Sequence, residues 1–256
     1  MRILLSPAKT FRKEQLPVDA GASQPLFLEQ AEIIMQKLSG LGPQQLMDLM
    51  DISTSLAEET AKRHLDWGGP FHPGNARTAV HAFHGEVYRA LGADRWNASD
   101  LDYAQEKLRI LSGLYGLLRP LDLIQQYRLE MGTRWSPAST DSLYSFWGSR
   151  LAQALGSEAD GPVINLASQE YFKVLDHKEA GLEVIHIHFR ERRGQQYKMI
   201  GTYAKTARGR MARFLVQERI ESPADIRSFA EDGYQFNPEL SADDALTFTR
   251  ENSTDS

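Results

Sequence analysis

The sequence contains no cysteine. That excludes disulfides, thiolate metal centres and a cysteine-based redox sensor. No apolar run approaches the roughly 20 residues that span a membrane. The opening "RILLSP" is too short for the apolar core of a signal peptide, so a cytoplasmic protein without membrane association is expected. G-x-G-x-x-G, G-x-S-x-G, H-E-x-x-H and the Walker A loop are all missing, and no catalytic motif stands in for them. Histidine is scarce, at seven residues. His81 and His84 lie three apart, and His186 and His188 share one strand face, but neither pair has a clear third ligand nearby. No metal and no cofactor is expected.

What is present is a chain of 256 residues, 41% of them hydrophobic. This is enough for one compact domain over residues 1–256, with the last six frayed. The net charge of −5 is distributed unevenly. Residues 190–219 hold nine Lys/Arg against two Asp/Glu, and residues 221–256 hold nine acids against two bases. A basic stretch of this density binds polyanions whatever the total charge. It can equally be a solvated face paired with the acidic tail.

Three short apolar runs share one design. Ile3-Leu4-Leu5 ends at Ser6, Leu108–Leu111 ends at Ser112-Gly113, and Val163–Leu166 ends at Ala167-Ser168. Continuous apolarity fits strands buried on both faces. If the three are parallel neighbours, their polar loops meet at the sheet edge where α/β proteins bind ligands. Helix capping is the other use of such serines. The first loop, "SPAKT", carries Lys9, whose ammonium is placed to meet an anion. Residues 23–66 and about 75–91 read as helical, and a further helix begins near Ser99. Leu182–Phe189 and Gln196–Tyr203 read as a hairpin. "ALTFTR" reads as a last edge strand.

"LSGLGPQQLMDLM" has the pattern of a helix-hairpin-helix, with Gly40 and Gly42 in the turn and Pro43 opening the second helix. Glycines leave backbone N–H groups uncovered for phosphate; an ordinary αα-corner has the same pattern. "YAKTARGRMAR" supplies Lys205, Arg208, Arg210 and Arg213, with Arg213 expected on an exposed helix face; cations at this density neutralise phosphates or form a solvated amphipathic helix. In "SGLYGLLRPLDLIQQYRLEMG", Arg119 and Arg128 can clamp an anion, or Arg128 and Glu130 can pair as structure. In "INLASQEYF", Asn165, Ser168, Glu170 and Tyr171 lie just beyond a strand; Asn165 and Ser168 can read a base or sugar edge, or simply form the turn.

Taken together, "ILLSPAKT", "LSGLYGLLRPLDLIQQYRLEMG", "INLASQEYF" and "YAKTARGRMARF" closely resemble the bacterial YaaA family, the peroxide stress resistance proteins, over Arg2 to about Phe248. The resemblance implies a single α/β domain of unusual topology, with a mixed central sheet, surrounding helices, a helix-hairpin-helix-like element and a positively charged cleft. It also implies a cytoplasmic protein of the hydrogen peroxide response that limits free intracellular iron, protects DNA and binds duplex or branched DNA. Carried onto this chain, the cleft is lined by Ser6, Lys9, Ser112, Arg119, Arg128, Asn165, Ser168, Tyr171, Lys205 and Arg208. The expected protein is a monomer that binds DNA with little sequence preference. The alternative is an enzyme acting on a nucleobase or nucleotide in a pocket around Lys9, marked by a deep cavity and a desolvated amine. Direct iron binding has least in its favour, given a chain without cysteine.

Overall fold

A computed structural model describes residues 1–14, 21–137 and 140–251, so five of the six terminal residues expected to fray lie outside the described residues. In chain order, β1 (Arg2–Leu5) leads to the two-residue β2 (Thr10–Phe11), then to α1 (Leu28–Leu38), α2 (Pro43–Met50) and α3 (Thr54–Asp66). Next come β3 (Arg77–Thr78), α4 (Ala79–Ala82), β4 (Phe83–His84), α5 (Glu86–Leu91) and α6 (Ala98–Lys107), which feeds β5 (Leu108–Ser112). β6 (Gly116–Leu118), β7 (Leu123–Ile124), α7 (Leu143–Trp147) and α8 (Arg150–Glu158) lead to β8 (Val163–Asn165) and α9 (Gln169–Phe172). The chain closes with β9 (Val184–Arg193), β10 (Gln196–Lys198), α10 (Gly201–Gln217), β11 (Gln235–Phe236) and β12 (Ala245–Arg250).

The three apolar runs are indeed parallel neighbours. Ile3 of β1 is in register with Leu108 of β5 on one side and Ile164 of β8 on the other. The parallel block runs β5-β1-β8-β9-β12, with antiparallel β6 and β11 at its two margins and β10 folded back on β9. The sheet is therefore mixed. Every residue of β1, β5 and β8 is buried, as continuous apolarity requires when both faces are covered. The chain leaves β1 for β5 on one side, then passes β1 again to reach β8 on the other. The strand order thus reverses at β1, and the loops after Leu5, Ser112 and Asn165 face one crevice.

Several elements differ from the sequence pattern. Residues 75–91 are not one helix. β3 pairs with β7 and β4 with β2, so partners distant in sequence take backbone groups that a helix would have used internally. α6 is capped by Asn97, whose side chain accepts from Asp100 N–H at 3.0 Å, and Ser99 lies inside the first turn. The second arm of the hairpin stops at Lys198 because α10 starts at Gly201, drawn in by its apolar stripe of Ala204, Ala207, Met211 and Leu215. "ALTFTR" forms β12, but β11 covers its outer edge.

α10 packs closely on α5 through one glycine. A Cβ at Gly209 would lie 2.1 Å from the Val87 carbonyl oxygen and 2.8 Å from Ala90 Cβ. The absence of a side chain lets α10 approach α5 at this crossing.

Candidate functional site

The serines at the strand ends chiefly tie the loops together. Ser168 N–H donates to Ser6 Oγ at 2.8 Å, and Ser6 Oγ reaches Ser168 Oγ at 3.2 Å. Tyr88 from α5 donates to the Ser6 carbonyl at 2.9 Å. Ser112 is fully buried; its Oγ accepts from Tyr115 N–H at 2.9 Å and shares a hydrogen with Tyr127 OH at 2.7 Å. It supports the crevice floor from within the core. Burial pushes the Tyr127 phenol up. It does the same to Tyr171, where Tyr127 and the carboxylates of Glu170 and Glu130 add to the effect. Asn165 is oriented by Ala167 N–H, which donates to its Oδ1 at 2.9 Å. Its Nδ2 therefore donates to His186 Nδ1 at 3.0 Å, leaving His186 Nε2 to carry that ring's proton.

Lys9 and Arg128 border a recess of about 550 Å³, with Asp48, Met50, Arg134 and Glu170 among the residues lining it. Lys9 Nζ pairs with Glu130 Oε2 at 2.6 Å, and Arg128 stands 3.8 Å from the other Glu130 oxygen. Arg128 Nε is buried without a partner. The Arg128 backbone N–H donates to His64 Nε2 at 3.3 Å. Burial lowers the His64 pKa from 6.5 to about 4, so α3 presents a neutral imidazole here. Lys9, Arg128 and Arg134 face Asp48, Asp51, Glu130 and Glu170, so this recess has mixed charge. The Lys9 side chain is 62% exposed, so it lacks the burial the enzyme alternative called for.

The basic stretch divides into two sets. Arg210 pairs with Asp232 at 3.4 Å, Arg213 with Glu231, Arg192 with Glu251 at 3.3 Å, and Arg219 with Asp100 at 2.9 Å. The acidic tail thus neutralises three of these arginines. Arg213, expected on an exposed face, is half-buried and also donates to the Ala90 carbonyl. Among the described residues, Arg190, Arg193, Lys198, Lys205 and Arg208 form no ion pair. Arg208 is half-buried, and burial alone lowers its pKa. It lies close enough to His188 to act on it. The pKa of His188 is lowered by burial first, then by His186, Arg190 and Arg208. The His186 and His188 rings stack at 6.2 Å, nearly coplanar in orientation, and Phe172 of α9 meets His186 edge-on. His186 is in register with Asn165. A row of Asn165, His186, His188 and Arg190 therefore leads away from the crevice along one face of β9, while exposed Lys205 lies one helical turn from Arg208 on α10.

The structure thus brings together Ser6, Asn165 and Ser168, and sets Lys9 and Arg128 around Glu130, whose charge also reaches Tyr171. Arg119 lies elsewhere. It follows β6, which runs antiparallel to β5 toward the opposite edge of the sheet, and it pairs with buried Asp122. Gly40 and Gly42 do join α1 to α2, but neither has a positive φ. Two N–H groups of their turn are used internally: Leu41 N–H donates to the Leu38 carbonyl and Gly42 N–H to Gln45 Oε1 at 2.9 Å. Sequence reasoning weighed His186 and His188 only as a metal pair and Glu130 only as a partner of Arg128, and it did not foresee the pairing of Glu130 with Lys9 or the bond from Gly132 N–H to Glu170. The alternation His186-x-His188-x-Arg190 was the available signal.

A family model described as peroxide stress protein YaaA matches residues 1–240. The chain belongs to this family. Curated relatives align along nearly its whole length. A "UPF0246 protein" of Cellvibrio japonicus is 46% identical over 97% of this chain and 98% of the relative. Another, from Dechloromonas aromatica, is 45% identical over 99% of this chain and all of the relative. A third, from Burkholderia mallei, is also 45% identical over 98% of each. The four sequence blocks that carry the resemblance to YaaA proteins hold the crevice loops and α10. No helix among the described residues is long and apolar enough to cross a membrane.

Proposed function

We propose that this YaaA-family protein binds duplex or branched DNA, with little sequence preference, at the carboxyl edge of its sheet, and so contributes to limiting free intracellular iron and protecting DNA under peroxide stress. The observation that carries this reading is the unpaired state of Arg190, Lys205 and Arg208 beside the crevice, in a molecule whose other α10 arginines are paired. A half-buried guanidinium without a carboxylate is costly unless an anion completes it. Backbone phosphates suit such a row, and contacts to them carry no base information. The positive cleft of this reading is confined to the α10 and β9 side, because the Lys9 side is balanced by carboxylates. The glycine turn between α1 and α2 is assigned no phosphate contact, since the Leu41 and Gly42 N–H groups are in use.

The test is a titration of labelled duplex across a range of salt. Three phosphate contacts at about −0.9 each give an expected slope of about −3 in log K against log salt. A flat response would sink the reading.

A second reading has one observation in its favour. The recess beside Lys9 is of nucleotide size, and the buried Arg128 Nε beside it has no partner. It would then hold a nucleotide, with Lys9 and Arg128 on its phosphate. Equilibrium dialysis with nucleoside monophosphates checks this. Retention that is lost in Arg128→Met supports it, and no retention by the unmodified protein ends it.

A further inference from the structure

Carboxylates of this fold are held in two ways. Asp122 is buried, and it accepts from Ser23 Oγ at 2.6 Å and from Arg119 N–H at 2.8 Å. Glu170 accepts from Gly132 N–H at 3.0 Å. Both take hydrogen bonds from uncharged donors of the chain. Glu130 differs. Among the described residues, no backbone N–H and no hydroxyl donates to its carboxylate, which has only cations beside it: Lys9 Nζ at 2.6 Å and Arg128 Nη2 at 3.8 Å. Its backbone, by contrast, is fixed. The Glu130 carbonyl accepts from Thr133 N–H at 3.1 Å, and a Cβ at Gly113 would lie 2.7 Å from the Leu129 carbonyl oxygen. The carboxylate can therefore swing on a backbone that stays in place. Arg128 completes the arrangement. Its side chain is 15% exposed, and its Nε is buried without a partner. Nε and Nη2 form the side-on fork with which arginine takes two oxygens of one anion. Glu130 stops short of that fork, at 3.8 Å and beyond hydrogen-bond reach. The fork is empty, and Arg128 borders the recess of about 550 Å³.

We infer that the Arg128 fork and the Lys9 ammonium form a subsite for a phosphate monoester, and that Glu130 stands in for the phosphate until the ligand displaces it. This deepens the second reading above, on which the identity of the anion as a nucleotide's phosphate rests.

The physical argument has three steps. First, burial strips water from a guanidinium, and an N–H left without an acceptor costs free energy. A carboxylate at 3.8 Å balances the charge of Arg128 but supplies no hydrogen bond. Two phosphate oxygens on the fork supply both. Second, Glu130 is cheap to release. No uncharged donor has to be given up, and its contact with Lys9 is an ion pair whose ammonium side is 62% exposed and screened by water. Third, the exchange selects by charge. A phosphate monoester carries close to two negative charges near neutral pH, against one for Glu130. A backbone phosphodiester carries one per phosphate and holds no such advantage over the carboxylate. Glu130 thus keeps the recess for monoesters and leaves DNA to the other side of the crevice.

The test uses two probes, adenosine monophosphate and inorganic phosphate, titrated calorimetrically at about pH 7.5, where both are mostly dianions. The unmodified protein is expected to bind adenosine monophosphate, and Glu130→Gln to bind it at least about tenfold more tightly. Glu130→Ala is expected to give the same gain, so misfolding of one variant leaves the other informative. Glu170→Gln removes the same charge from the same recess, but from a carboxylate bonded to the chain, and a clearly smaller gain is expected. Arg128→Met is expected to abolish binding, alone and combined with Glu130→Gln. Equal gains in Glu170→Gln and Glu130→Gln would overturn the stand-in role, because general charge would then account for both. Nucleotide binding by the unmodified protein with no gain in either Glu130 variant would overturn it too, and leave the nucleotide reading standing. Inorganic phosphate bound by Glu130→Gln and lost with Arg128→Met, with no nucleotide bound by any variant, would uphold the subsite and end the nucleotide reading. Failure of both probes in both Glu130 variants would overturn both.

Discussion

His64 lies on the inner face of α3, with its Nε2 holding the Arg128 backbone N–H. Its pKa falls from 6.5 to about 4 because burial disfavours the charged ring. The unfolded chain therefore binds a proton before the folded one does. Stability should be unaffected by this group above about pH 6.5, then fall by about 3 kcal/mol as pH drops toward 4. Urea midpoints measured against pH check this, and His64→Gln is expected to flatten that window. Ser112 belongs to the same scale. With Oγ buried between Tyr115 N–H and Tyr127 OH, Ser112→Ala should cost about 1–3 kcal/mol of stability and leave duplex affinity unchanged. A loss of affinity at unchanged stability would return Ser112 to the site. Position at the end of a strand was readable from the sequence. Whether a hydroxyl there faces a ligand or a buried phenol was not, because the phenol arrives from fifteen residues away. Glu130 beside Lys9 escaped notice for the same reason.

β1, β5 and β8 were legible because a strand covered on both faces is mostly apolar, and Ile3–Leu5, Ile110–Leu111 and Val163–Ile164 carry that mark although buried Arg2, Arg109 and Asn165 interrupt it. β2, β3 and β4 left none. Each is two residues long and exists through a partner distant in sequence. α10 was legible along its apolar stripe, but not in its start, since Gly201 to Tyr203 fit a strand equally well until tertiary packing decides. Its crossing with α5 supplies a prediction at this scale. Gly209→Ala places a methyl group 2.1 Å from the Val87 carbonyl oxygen, so the two helices must separate. Destabilisation by at least about 2 kcal/mol is expected. Denaturant unfolding checks it, and an unchanged midpoint would show that the crossing is looser than described. Because α5 also carries Tyr88, which bonds the Ser6 carbonyl, the same substitution should weaken ligand binding at the crevice.

For the molecule as a whole, the opposite charges of residues 190–219 and 221–256 were visible in composition, and both of their uses were open. The fold employs both. Glu231, Asp232 and Glu251 take up Arg213, Arg210 and Arg192, while Arg190, Lys205 and Arg208 remain unpaired. No periodicity separates these two sets, because the acids reach their partners through β11, β12 and the turns around them. Arg119 was misplaced for a related reason: the antiparallel return of β6 sends it to the other edge of the sheet. The central claim is that the unpaired cations, and not the paired ones, contact phosphate. It is tested most directly by the salt dependence of duplex binding in Arg208→Met and Arg213→Met, measured beside the unmodified protein. Arg208→Met should reduce the slope of log K against log salt by about 1, and Arg213→Met should leave it unchanged. Equal reductions in both variants, or a reduction in Arg213→Met alone, would contradict the account.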